Sequence, residues 1–536
     1  MKKIYYPLLL FFFVAACVRK QENANVVSSN PLSVRDSKLR FSPEERFGTL
    51  YDTIQKSNLF PDIKIFLDGV AKTTTDSIMD AFANERIKPD FNLQSFVNQW
   101  FTLPKDVSNS FQGDASQSSE TYLNGFFSSM TRKADTADLG SLLPLPKPYV
   151  LPNSTAREVN YSDSYFTMLG LQADGRTEMI ENMLDNFAYL LDTEGFIPYG
   201  NRTYYMSRSQ PPYFACMVQL LAAKKGDSAY LKYLPQLEKE YKYWMDGKPT
   251  EPEKETSSKR RTVVMDRNIL NRYFDDKDTP RPERFREDTA IAKKSNLGAK
   301  MANRHLRAAA ESGWEYSSRW FEMGKDITSI HTTDFVPVDL NSLLYNLEMV
   351  IMKGKIVAKK LDEAANFEKL ASKRREAVMR YCWNEEKGMF YDFDFQKYKR
   401  SEVISLAAVY PLFFKMCTKR EADKAIAMIQ TNLLREGGLA TTATQKSVEN
   451  WDGGNGYANL QWMAIQGLRN YGYYILAADV KKRWVDLNVT KFKASGKMFE
   501  NYSVDLPNNA TVVDESILKT GSSSSNGVLL KLLKEK

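Results

Sequence analysis

The apolar positions along this chain recur mostly at helical spacing. Met179, Ile180, Met183, Leu184, Phe187, Leu190 and Leu191 share one face of a 3.6-residue repeat, and Gly195 follows the run. Pro211 and Pro212 precede Tyr213–Lys224, whose apolar stripe is Phe214, Met217, Val218 and Leu221. Proline suits a first helical turn, where its missing N–H would have no partner anyway. The same periodicity predicts helices over Leu340–Leu361, Phe367–Tyr381, Val403–Met416, Glu421–Leu434, Tyr457–Tyr471 and Lys481–Lys493. Two stretches break the rhythm. Asp246–Lys259 is charged and proline-containing, a surface excursion. In Arg261–Tyr273, apolar residues flank Asp266-Arg267-Asn268, which predicts a small β-hairpin. No strand series that could build a larger sheet is visible, so the fold class is all-α. A bundle, a solenoid and a closed toroid all satisfy this pattern, and no fixed-length repeat selects among them.

The amino terminus follows another pattern. Met1–Lys3 is basic, and the apolar run Ile4–Ala16 ends in Val14-Ala15-Ala16 directly before Cys17. The run is too short to span a bilayer stably and reads as a secretory signal. Small residues before a cysteine resemble a bacterial lipobox. That resemblance implies removal of residues 1–16, diacylation of Cys17, and a membrane partner held through two acyl chains. Val18–Asn30 is polar and Asn/Ser-rich, part of a flexible tether over residues 17–45 that leaves 46–536 as one folded domain. The expected location is the bacterial cell envelope, facing the periplasm or on the outer membrane.

Composition narrows the classes. A chain of 536 residues can bury a large core, and 43% hydrophobic with 12% aromatic residues excludes a disordered chain. The net charge of +8 is small for this length, and no basic block interleaves with aromatics, so no nucleic-acid partner is expected. The basic patches Ser258–Arg261 and Lys373–Arg375 read as solvated surface. Cys216, Cys382 and Cys417 lie in apolar segments without a C-x-x-C pair and are expected as buried free thiols. With only His305 and His331 there is no histidine-rich metal site, and no metal or cofactor is expected.

Six loops concentrate carboxylates, arginines, amides and aromatics: Arg157–Phe166, Gly195–Pro212, Arg281–Asp288, Glu311–Trp320, Glu449–Tyr457 and Lys497–Tyr502. Polyhydroxylated ligands need this mixture, because charged groups hydrogen-bond hydroxyls and flat rings stack on sugar faces. Glycosidic cleavage also needs two carboxyl groups, one to protonate the leaving oxygen and one to activate water or attack. The plainer alternative is that these carboxylates cap helices and pair with arginines.

At these loops the sequence resembles the trehalase family of inverting glycoside hydrolases. The similarity opens at Leu59-Phe60-Pro61-Asp62 and continues through Tyr161-Ser162-Asp163-Ser164-Tyr165-Phe166, Gly200-Asn201-Arg202, and Ser207-Arg208-Ser209-Gln210-Pro211-Pro212. It includes Arg281-Pro282-Glu283, Glu311-Ser312-Gly313-Trp314, Asn450-Trp451-Asp452-Gly453-Gly454-Asn455-Gly456 and Met498-Phe499-Glu500-Asn501-Tyr502. The resemblance implies an (α/α)6 toroid with small β-hairpin excursions and cleavage of α,α-trehalose to glucose with inversion. It implies Glu315 as general acid and Glu500 as general base, about 6.5–9.5 Å apart to leave room for water. It also implies substrate binding by Asp163, Asn201, Arg208, Arg281, Glu283, Gly313, Trp451 and Asp452. The chain departs from the family in several places. Thr155 stands for a substrate-binding arginine, Ser162 for a tryptophan, Tyr199 for an asparagine, Glu315 for the family aspartate, and Asn508–Ser525 for a glycine-rich lid. These departures leave two other readings open: a hydrolase of a related α-linked oligosaccharide, and a non-catalytic sugar-binding lipoprotein.

Overall fold

The computed structural model describes residues 36–105, 111, 113–323, 325–444, 447–505 and 521–535. The signal segment, Cys17, most of the tether and the greater part of Asn508–Ser525 lie outside the described residues.

Six helical elements form a closed inner ring: Tyr161–Ala173, Phe214–Lys225, Val338–Val357, Tyr410–Phe413, Ala458–Asn470 and Ser523–Lys534. Each packs against the next, and the last packs against the first. Outside them lie Ser119–Met130, Thr177–Thr193, Ser228–Trp244, Leu361–Cys382, Lys419–Leu433 and Tyr474–Ser495. This is the expected (α/α)6 toroid. Side-chain patterning explains which helices go inside. Val338–Val357 is buried on nearly every face, including Asp339, Asn341 and Ser342. Leu361–Cys382 buries only one stripe, from Ala364 and Ala371 to Val378 and Cys382, and turns its charged face outward. The ring closes where Gly170 meets Gly527. A Cβ on Gly170 would stand 2.6 Å from the Gly527 Cα, so only glycine permits this approach.

The strands are short antiparallel ladders at the loops. The expected hairpin is present as Thr262–Met265 paired with Asn268–Asn271, and Ser257–Lys259 adds a third strand. Most of the others are only two residues long, too short for alternation to show in sequence. Asn455–Tyr457 pairs with Asn501–Ser503, Tyr457 facing Asn501. An amino-terminal segment forms a satellite core around Phe47, Leu50, Phe66 and Phe101 that packs against Tyr204 and Tyr205.

Three expectations are corrected. Val403–Met416 is not one helix but a 3-10 turn, Leu406–Val409, running into the single turn Tyr410–Phe413. The chain arrives extended there, with Ser405 bridged to Thr442 and the Leu406 N–H bonded to the Thr441 carbonyl. Arg261 and Arg374 are buried rather than solvated. The Arg261 guanidinium stacks 4.1 Å from the Tyr243 ring and pairs with Glu311 at 3.6 Å. Arg374 donates to Glu348 at 3.0 Å and to the Oδ1 atoms of Asn271 and Asn341 at 2.9 and 3.1 Å. The three cysteines are free and buried, as expected. Among the described residues no helix is long and apolar enough to cross a membrane.

Candidate active site

The loops at one another's edges are held by three linkages. Helix Ala299–Ser312 ends at Gly313, whose φ of 76° is the left-handed value that favours glycine. This cap, with the Trp314 N–H bonded to Ser312 Oγ at 3.1 Å, turns the chain into Glu315. The Trp451 N–H then donates to the Tyr316 carbonyl at 3.1 Å, joining the Glu315 loop to the Asn450–Gly456 loop. That second loop runs into the Asn455–Tyr457 strand, whose partner strand begins one residue after Glu500. The backbone therefore connects the Glu315 and Glu500 loops through a single intermediary.

Asp452 tightens this frame. Its carboxylate accepts from Ser317 Oγ (3.0 Å), Ser318 N (2.7 Å), Ser318 Oγ (2.8 Å), Thr442 Oγ1 (3.1 Å) and Ser447 Oγ (2.6 Å). All its capacity is spent inside the protein, so Asp452 holds loops rather than facing the cleft. Asn201 is similar. It is fully buried, accepts from the Val159 N–H at 2.7 Å and donates to the Leu143 carbonyl at 2.9 Å. Its amide ties the Arg157–Asn160 strand-like segment to the Gly200 loop.

Half-buried Trp451 stacks on Tyr457 at 3.7 Å and 2° and lies 5.3 Å from Trp314. Of these rings, Tyr457 lies close enough to Glu500 to feel its charge. Asp163, in the first turn of Tyr161–Ala173, is half-buried, with Asn160 Nδ2 at 3.4 Å from its carboxylate.

Charges are concentrated on the Glu315 side. Glu315 retains 22% of its side-chain exposure and accepts from Arg281 Nη1 at 2.6 Å. Burial pushes its carboxyl up, but the Arg281 charge and hydrogen bond, with Arg284 and Arg208 beyond, reverse this and hold it below the usual carboxylate range. Arg281 itself is fully buried and grips Asp288 with Nε (2.9 Å) and Nη2 (2.8 Å). Burial would favour its neutral form, yet Asp288 and Glu315 keep it firmly charged. Arg208 is also buried, paired with Glu283 and lying 3.6 Å from Asp275, with its guanidinium 5.1 Å from the Tyr199 ring. Arg208 Nε and Nη1 and Glu283 Oε2 are buried polar atoms without a hydrogen-bond partner.

The Trehalase family model matches residues 56–536, which include both candidate carboxylates. The chain belongs to the trehalase family. A periplasmic trehalase of Escherichia coli O6:H1 is 41% identical over 494 residues, 92% of this chain and 87% of that protein. The periplasmic trehalase of Escherichia coli K12 is 40% identical over the same shares. Among solved structures, the neutral trehalase of Saccharomyces cerevisiae superposes with a TM-score of 0.59 at 24% identity, covering 73% of this chain and 74% of that one. A mannosylglycerate hydrolase from Thermus thermophilus has a TM-score of 0.52 at 16% identity, covering 78% and 100%. These last two bear on the fold alone.

Three positions read from the sequence as departures from the family pattern have local accounts. Ser162 donates from N and Oγ to Gln210 Oε1 at 2.9 and 3.1 Å. Thr155 is exposed and bonded only to Asn153 Oδ1 within its own turn. Tyr199 packs 4.9 Å from the Tyr205 ring, its backbone N–H on the Arg208 carbonyl at 3.1 Å. Sequence reasoning gave no role to Asp288, Tyr316 or Asp275. Asp288 and Tyr316 stand within charged loops, but nothing in their spacing marks which arginine they serve.

Proposed function

We propose that this trehalase-family protein hydrolyses α,α-trehalose to two glucose molecules with inversion at the cleaved centre. Glu315 donates a proton to the glycosidic oxygen, while Glu500 removes one from the water that attacks the opposite face. Arg208, Arg281, Glu283, Asp163 and Trp451 bind the sugars. Gly313 lets the backbone turn towards them. Asp452 and Asn201 serve the same site by fixing its loops.

The observation carrying this reading is Glu315, which keeps 22% of its side-chain exposure while held by buried Arg281 and lying within the influence of the Arg208–Glu283 pair. The 41% identity to a periplasmic trehalase supports the same substrate and a periplasmic location. Attachment of the chain to a membrane through diacylated Cys17 is part of this proposal and rests on the sequence Val14-Ala15-Ala16-Cys17.

The test is glucose release by the soluble form beginning at Val18, assayed on trehalose and other α-linked disaccharides. Trehalose is the expected substrate. Glu315→Gln and Glu500→Gln should each lower turnover by about 10²-fold or more while leaving the melting temperature near that of the parent. Full activity in either variant would refute its assigned role. Cys17→Ser should move the full chain from the membrane fraction to the soluble fraction.

A further inference from the structure

The Glu315 hydrogen bond to Arg281 raises a question of chemistry. A general acid must carry a proton, and a guanidinium 2.6 Å away favours the ionised form. The structure contains a counterweight. Asp288, wholly buried in the helix Phe285–Lys294, takes the Arg281 backbone N–H (2.9 Å), Nε (2.9 Å) and Nη2 (2.8 Å). The Tyr316 hydroxyl accepts from Arg281 Nη2 and donates to Asp288 Oδ1 at 3.3 Å. Only Nη1 of the guanidinium is left for Glu315.

We propose that Asp288 is a positioning residue for the reaction, clamping Arg281 so that a single nitrogen orients Glu315 and offsetting part of the guanidinium charge, so that Glu315 loses its proton less readily than it would beside an unpaired Arg281. The geometry has two consequences. A bidentate clamp fixes the plane of the guanidinium, which fixes the direction of Nη1. Glu315 Oε2 is thereby engaged, and the proton to be donated resides on Oε1. The Asp288 charge also offsets that of Arg281 within a buried site, where charges are weakly screened. The other groups acting on Glu315 are Arg284 and Arg208, which favour its ionised form, while Tyr199 and Tyr316 adjoin it as neutral phenols. Asp288 additionally feels Arg307. Asp288 is the group that joins Arg281 to the fold.

This inference rests on Glu315 being the acid, and the experiment separates the two. In the Val18-initiated chain, kcat/KM for trehalose is measured against pH for the parent, Asp288→Asn and Asp288→Glu. Titration of a donor acid forms the alkaline limb of the profile. In Asp288→Asn the limb should move toward acid by about one pH unit, because Arg281 is no longer compensated. In Asp288→Glu the charge remains and the limb should stay, while kcat falls about tenfold or more and KM changes by less than about twofold. An unmoved limb in folded Asp288→Asn overturns the proposal. If Asp288→Asn does not fold, Asp288→Glu decides: parental kcat, or a change confined to KM, overturns it. The acid assignment is checked with α-D-glucosyl fluoride, whose leaving group needs no proton. Glu315→Gln should lose trehalose turnover at least about tenfold more than fluoride turnover. Equal loss on both substrates sinks the acid assignment. A spared fluoride reaction with an unmoved Asp288→Asn limb sinks the Asp288 assignment alone.

Discussion

Asp452→Ala removes the one carboxylate that accepts five hydrogen bonds from two loops. One of the orphaned donors retains another partner: Ser318 Oγ lies 2.9 Å from Thr444 Oγ1. The Ser318 N–H has no such replacement. The hydroxyls of Ser317, Thr442 and Ser447 keep bonds they accept from the N–H groups of Arg319, Gly453 and Glu449 but lose the acceptor for their own protons, and Ser317 is fully buried. With hydrogen bonds to a charged group worth about 1.5–3 kcal/mol each, and relaxation recovering part, the loss is about 3–5 kcal/mol. At about 2.1 cal/mol/K per residue, unfolding a domain of this size gains about 1 kcal/mol/K of entropy. The melting temperature should therefore fall by about 3–5 °C. Activity should fall further than stability implies. Ser317 is two residues from Glu315, and displacing an acid by about 1 Å costs about 10² in rate. Differential scanning calorimetry and glucose release, measured on the same preparation at a temperature where the variant is folded, give both values. A variant that melts within 1 °C of the parent (a shift of roughly 1 kcal/mol or less) and turns over normally would show that the five bonds do not hold the loops.

Three further outcomes are expected. Asn201→Ala, which strips two buried backbone partners, should destabilise the fold by about 2–3 kcal/mol in thermal unfolding. Its KM should stay close to that of the parent, and a KM increase above about tenfold would restore Asn201 to the substrate's contacts. Arg208→Lys should lower kcat/KM about 10²-fold, because an ammonium cannot reach Glu283, Asp275 and a sugar hydroxyl with fixed geometry; parental kinetics would refute the role given to the fork. Glu240 is pushed up to about 8 by burial, against a smaller opposing effect of its Tyr161 hydrogen bond. A carboxyl whose folded pKa is raised contributes stability below its unfolded pKa and loses it as pH rises towards 8. Glu240→Gln should therefore gain stability relative to the parent by up to about 1.4 kcal/mol per pH unit between roughly pH 4.5 and 8, read as the difference in melting temperature. No pH dependence in that difference would refute the buried, protonated state.

The one-dimensional pattern was sufficient for the helices with long amphipathic runs. Thr177–Thr193, Lys419–Leu433 and the Thr262–Asn271 hairpin lie where their periodicity says, because a half-buried element must show its buried face to the sequence. Val403–Met416 showed helical spacing but is not one helix, because the pairing of Ser405 with Thr442 keeps the chain extended there and leaves only the short turns Leu406–Val409 and Tyr410–Phe413. Similarity of motifs proposed Glu315, Glu500, Arg208, Arg281 and Glu283 as site residues, and the structure puts Arg281 on Glu315 and Arg208 on Glu283. Which arginines are buried was not legible: Arg261 and Arg374 read as surface, and their partners Glu311, Glu348, Asn271 and Asn341 lie tens of residues away. The same applies to the division of labour within the site. Asp452 and Asp288 look like any acidic loop residue until folding spends their oxygens on neighbours. The sequence by itself determined the helical class and the family, and it proposed Glu315 and Glu500 as the reacting carboxylates, because these readings depend on local periodicity and on residue type. Tertiary structure alone decided which carboxylates are free to meet a sugar and which are consumed in holding the site, because hydrogen-bond partners are set by proximity in space.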